Sequence, residues 1–134
     1  ECSASAAISI SAIADAAMEC TPNGTGLSVA VVDRNGQVRV WIRGDASPPH
    51  GFDLARRKAY TARTFRQTSL EWAKRSETAL AGQRMLTDVI PLGGGVPIKV
   101  GDETIGAVGV SGSSQEGDEN CAKSAIAKVA DQLK

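Results

Sequence analysis

The segment Gly93 to Ser114, GGGVPIKVGDETIGAVGVSGSS, restricts the fold of this chain more than any other stretch. Two β-rich runs, Val96–Val100 and Glu103–Val110, flank Gly101-Asp102. Glycine at the first central position suits a two-residue type II′ hairpin turn. After Val110, Ser111-Gly112 leads to Ser113, and Glu116 lies three residues further on, the spacing of a helix capping box. The segment therefore predicts a glycine-rich approach, a tight hairpin and the start of a helix.

A second hairpin is predicted upstream. Leu27–Arg34 and Gln37–Arg43 flank Asn35-Gly36, the preferred pair for a type I′ turn. The first of these strands is almost wholly apolar and should be central, whereas the second alternates and should have one wetter face. A helix precedes them, from about Ser9 to Cys20, on the spacing of Ile10, Ile13, Ala14, Ala17 and Met18. Thr21-Pro22-Asn23-Gly24 stops it. A second helix is expected over Phe52–Phe65. A third is expected over Leu70–Ser76 with Ser69 as its cap, a short one near Leu80–Leu86, a short strand near Val89–Pro91, and a last helix over Gln115–Leu133. The order α-β-β-α-α-β-β-α implies one α+β domain over residues 1–134, an antiparallel sheet of four to five strands flanked by helices.

Composition bounds the function classes. Fifteen basic residues balance fifteen acidic ones, which argues against nucleic acid or an anionic membrane as a general partner. No run is long and apolar enough to span a bilayer. Cys2, Cys20 and Cys121 form no CxxC pair, and His50 is the single histidine, so a structural zinc site is not expected. Either Cys2 or Cys20 can pair with Cys121 if the terminal helices are neighbours; three unpaired thiols are the alternative. The chain starts at Glu1 rather than methionine. That is compatible with a removed leader, and it leans the expected location towards export or the periplasm.

Several chemistries are set aside. Gly106, Gly109 and Gly112 resemble a dinucleotide loop in spacing, but two of them fall inside a hairpin strand, where glycine marks close approach of another backbone or a ligand. Glu116, Asp118 and Glu119 repel an anion from the last helix start. Ser111 lacks a nucleophile elbow, and His50 in its Pro-Pro-His-Gly loop is a solvent-exposed residue by default. Asp33 and Asp45 form a carboxylate pair only if the fold brings them together.

The second helix carries the remaining candidates. Ala55, Ala59 and Ala62 form a smooth ridge for packing on the sheet. Leu54, Lys58, Thr61 and Phe65 form a neighbouring stripe, and Phe52, Arg56, Tyr60 and Arg63 a third. A flat, carboxylated ligand could meet Leu54 and Phe65 by apolar contact and pair its anions with Lys58, Arg57 or Arg63. The alternative is an amphipathic helix with solvated cations.

Three separated blocks, Ala30-Val31-Val32-Asp33-Arg34-Asn35-Gly36, Lys58-Ala59-Tyr60-Thr61-Ala62, and Gly94-Gly95-Val96-Pro97-Ile98 continuing through Gly106–Gly112 to Asp118, occur in an order that resembles the GlcG/HbpS-like family. This is the haem-degrading or PduO C-terminal domain family. The resemblance implies a profilin- or PAS-like sheet flanked by helices, a homo-oligomer, and haem or a similar ligand. It places Thr61 at a position associated with haem iron, and Gly93, Gly94 and Gly95 along a cleft opposite. The first expectation is a small-molecule binding domain. An enzyme of unknown reaction using the same cleft, with Arg43, Asp45 and Lys58 as its polar residues, and a non-catalytic scaffold are the alternatives.

Overall fold

The computed structural model describes residues 2–20 and 26–133, so the Thr21–Gly24 stop lies outside the described residues. The elements are α1 (Cys2–Met18), β1 (Ser28–Val32), β2 (Val38–Arg43), α2 (Gly51–Phe65), α3 (Ser69–Arg75), β3 (Gly95–Val100), β4 (Glu103–Ser111) and α4 (Gln115–Lys128). Short 3₁₀ turns cover Ala81–Met85 and Ala130–Leu133. The four strands form one antiparallel sheet in the order β2-β1-β4-β3. Both expected hairpins are present, joined through the central β1–β4 pair, and the fold is α+β as expected.

Period-two alternation decides what each sheet face carries. Val29, Val31, Val108, Val110, Val96 and Ile98 point to one side, where Ile13, Ala14 and Ala17 of α1 and Cys121, Ala122 and Ala125 of α4 complete the larger core. The other side is lined by small residues. Val32 and Ala107 meet Ala59 and Ala62 of α2 there. A side chain at Gly109 would strike the Ala55 carbonyl and the Ala59 nitrogen, so α2 lies directly on the sheet backbone. The alanine ridge of α2 thus packs as its spacing implies.

Local chemistry moves several boundaries. The first hairpin is not a type I′ turn: Gly36 has φ 77° while Asn35 stays at negative φ. Asp33 heads a type I turn instead, its carbonyl accepting from the Gly36 N–H at 2.9 Å and its carboxylate from the N–H groups of Asn35 and Gln37. The second hairpin keeps its two-residue Gly101-Asp102 loop, with Gly101 at φ 62°.

Helix caps shift by one residue. α3 is capped by Thr68, in a full capping box with Glu71, which leaves the Ser69 hydroxyl free to accept the Gly95 N–H at 2.8 Å. α4 is capped by Ser114, whose hydroxyl accepts from Gly117, while the Ser113 N–H goes to Asp118. Glu116 therefore closes no capping box.

α1 begins seven residues before the first expected turn, because the Ser- and Ala-rich start propagates helix without an apolar stripe. The last helix tightens into a 3₁₀ turn after Lys128. Val89–Pro91 forms no strand; the Ile90 N–H donates to a side chain of α2 instead of to a ladder.

Of the two cysteine pairings weighed for Cys121, the structure holds a disulfide to Cys20, with Cα atoms 5.6 Å apart. It joins Cys20, two residues beyond α1, to the second turn of α4.

Candidate functional site

α2 presents two flanks beside its alanine ridge. On the flank towards β2, the Phe52 ring lies 4.4 Å from that of Trp41, the Tyr60 ring lies beneath Gly36, and Arg63 Nε donates to the Arg34 carbonyl at 2.7 Å. The opposite flank carries Leu54, Lys58, Thr61 and Phe65, the stripe singled out from spacing.

Lys58 is only 4% exposed. Its ammonium donates to the Val110 carbonyl at 3.1 Å and to Asp118 Oδ2 at 3.2 Å. Asp118 is 1% exposed, and its other oxygen accepts the Ser113 N–H at 3.0 Å. Burial pushes the Lys58 ammonium below the usual lysine range, and the Asp118 charge opposes that shift. Burial likewise pushes the Asp118 carboxyl up, opposed by Lys58 and by the N–H groups of Ser113 and Gly112. Gly94, at φ 133°, makes room for this arrangement, since a side chain there would meet the Val110 carbonyl and the Lys58 chain. Lys58 is thus a bracket tying α2 to β4 and α4.

Thr61 is buried one turn further on. Its hydroxyl donates to the Arg57 carbonyl at 2.7 Å and accepts the Ile90 N–H at 2.9 Å. Both hydrogen-bonding directions of this oxygen are used inside the protein, a poor fit to an iron ligand. Phe65 stacks on Trp72 with centroids 4.7 Å apart and planes 13° apart, and Trp72 Nε1 donates to Gln83. Leu54 and Phe65 are half-buried at either end of the stripe, with Lys58 and Thr61 covered between them.

Gly93, Gly94 and Gly95 are buried. The Gly93 N–H donates to Gln115 Oε1 at 2.8 Å, and Gly95 sits against the Lys58 carbonyl. Arg43 and Asp45 are not brought to this place. They lie at the end of β2, on the opposite edge of the sheet from β3, where Arg43 donates to the Ser47 carbonyl at 2.8 Å and Asp45 is exposed. Asp33 serves its own turn rather than pairing with Asp45. Among the described residues no three His, Cys, Asp or Glu side chains form a metal-binding group, and no helix is long and apolar enough to cross a membrane.

Spacing did not reveal the partner of Lys58, because Asp118 lies sixty positions away and reads as a first-turn acid of α4. Spacing within one helix does not single out Trp72 either; its seat against Phe65 depends on the α2–α3 corner. Among the cations on and around α2, Arg57 and Arg63 remain partly exposed, Arg57 donating to the Val89 carbonyl at 2.7 Å.

Residues 4–127 match the family model described as haem degrading protein HbpS-like. Protein GlcG of Escherichia coli K12 is 34% identical over 96 residues, 69% of each chain. The crystal structure of a double mutant of Streptomyces reticuli HbpS superposes with a TM-score of 0.86 at 35% identity, covering 91% of this chain and 84% of that one. A crystal structure of a PduOC:heme complex superposes with a TM-score of 0.80 at 26% identity, covering 90% and 91%.

Proposed function

We propose, from the premise that this chain belongs to the HbpS-like family, that it binds haem or a similar flat, carboxylated ligand and acts as a homo-oligomer. The observation that carries this reading is the likeness, over 90% of the chain, to a protein solved as a haem complex. The residues here do not fit iron ligation by Thr61, whose hydroxyl is committed on both sides, nor carboxylate pairing by Lys58, which already faces Asp118. The ligand is held by apolar contact at the half-buried Leu54 and Phe65 and by pairing with the partly exposed Arg57, whereas Arg63 lies on the other flank of α2 beside Arg34.

Titration with hemin tests this. A saturable, red-shifted Soret band is expected, with weaker binding of hemin dimethyl ester, whose carboxylates are blocked. A band that does not saturate, or equal affinity for the ester, overturns the reading. Loss of the bound band with hydrogen peroxide, faster than that of free hemin, would add turnover at the same place.

The Cys20–Cys121 disulfide supports a location in an oxidising compartment outside the cytoplasm. Thiol titration of unreduced protein isolated from its source is expected to find neither of these two thiols free.

A further inference from the structure

Much of the fully buried contact of α1 is made by small side chains. Among its described side chains, those fully buried are Ile13, Ala14 and Ala17; α4 brings Cys121, Ala122 and Ala125 into the same core, with Ile126 partly buried beside them. Alanine removes little apolar area from water, so this seam, in which Ile13 is the one fully buried large side chain among the described side chains of α1 and Ile10 and Met18 are only partly buried, contributes less than the valine- and isoleucine-lined sheet beneath it. Beneath α1 lie Val29 and Val31 of β1 and Val40 and Ile42 of β2, which a displaced helix would expose. The covalent tie sits at the end of this seam. Cys20, two residues beyond the end of α1, is exposed, whereas Cys121 is buried with its sulfur facing the Ala17 carbonyl.

We propose that the Cys20–Cys121 disulfide is a redox latch that holds α1 on α4 and the sheet. A dithiol reductant opens it by thiol–disulfide exchange. Its thiolate attacks the exposed Cys20 sulfur, forming a mixed disulfide, and the electron pair of the broken S–S bond leaves on Cys121 sulfur, which then takes a proton. The second thiol of the reductant, as its thiolate, attacks its partner sulfur in the mixed disulfide. It releases Cys20 as a thiolate that is protonated, while the reductant leaves as its own cyclic disulfide. Two electrons and two protons pass to the protein. With the tie gone, the alanine seam releases α1 while the strands, α2 and the Lys58–Asp118 bracket stay assembled.

Hydrogen exchange read by mass spectrometry tests the latch, on the Cys2→Ser chain so that no third thiol reshuffles. Dithiothreitol is expected to speed exchange of the α1 amides by at least ~100-fold more than it speeds exchange of the amides of β1, β4 and α2. The Cys20→Ala/Cys121→Ala chain, which loses the bond but keeps apolar groups in place, is expected to show the same fast α1 without reductant. Binding of an apolar dye to the reduced chain at 25 °C is expected to rise in step. Unchanged protection of α1 in both the reduced and the alanine chain overturns the proposal. Equal acceleration of α1 and of the sheet at the same temperature overturns it too, because the bond would then stabilise only the fold as a whole rather than latch one helix.

Discussion

Lys58 and Asp118 are ionisable groups removed almost wholly from water, and their mutual attraction must offset the loss of hydration of both. Breaking the pair is therefore costly, and replacing it whole is not. Lys58→Met is expected to lower unfolding free energy by about 3–5 kcal/mol, because it leaves a buried carboxylate without its cation. Lys58→Met combined with Asp118→Asn is expected to recover most of that loss in urea titrations. The pH profile of the same titrations carries a second sign. The raised Asp118 value makes its contribution complete below the ordinary carboxylate range and lost as pH rises through the folded value. The lowered Lys58 value makes its contribution complete above the ordinary lysine range and lost as pH falls through its folded value. Both slopes are expected to vanish in the double variant. A third residue is set by backbone alone: Arg66, at the C-terminus of α2, holds φ 57° with an exposed side chain. Arg66→Gly is expected to raise stability by about 1 kcal/mol, read as a shift in urea midpoint.

Among the elements, the contact of α2 with the sheet depends on missing side chains. Gly109→Ala would place a methyl against the Ala55 carbonyl and the Ala59 nitrogen, and is expected to cost about 1–3 kcal/mol in thermal or urea unfolding. Gly82→Ala, where nothing lies within 4 Å, is expected to be neutral or slightly stabilising in the same assay. This contact was legible in advance, since the period of Ala55, Ala59 and Ala62 is a property of one helix, and glycines inside a strand point to a close neighbour. The caps were less legible. Ser113 and Ser114 are adjacent and chemically alike, and what chooses Ser114 is the Asp118 carboxylate taking the Ser113 N–H. The first turn shows the same limit: Asn35-Gly36 suits a type I′ turn, but the Asp33 side chain collects two N–H groups and favours type I. Leu54, Lys58, Thr61 and Phe65 share one flank of α2, as their spacing implies. That its central polar pair is covered by the Val89–Gly95 segment follows from how a later piece of chain crosses the helix, and no spacing within α2 encodes that.

For the whole molecule, the disulfide closes a loop with a sequence separation of 101 residues. In the chain-entropy account such a cross-link restricts the unfolded ensemble strongly, and native disulfides of this kind are worth about 2–4 kcal/mol. The Cys20→Ala/Cys121→Ala chain is expected to lose that amount of unfolding free energy, and its urea midpoint should no longer respond to dithiothreitol. The placement of the two tryptophans has a consequence of a different sort. Trp72 is wholly buried against Phe65, whereas Trp41 is 46% exposed on β2 beside Phe52. Excited at the indole band, the unlabelled protein therefore emits as two separate lamps, a blue one in the α2–α3 corner and a redder one on the sheet edge. A soluble quencher dims only the second, so events at these two places can be followed by light independently, without adding a dye.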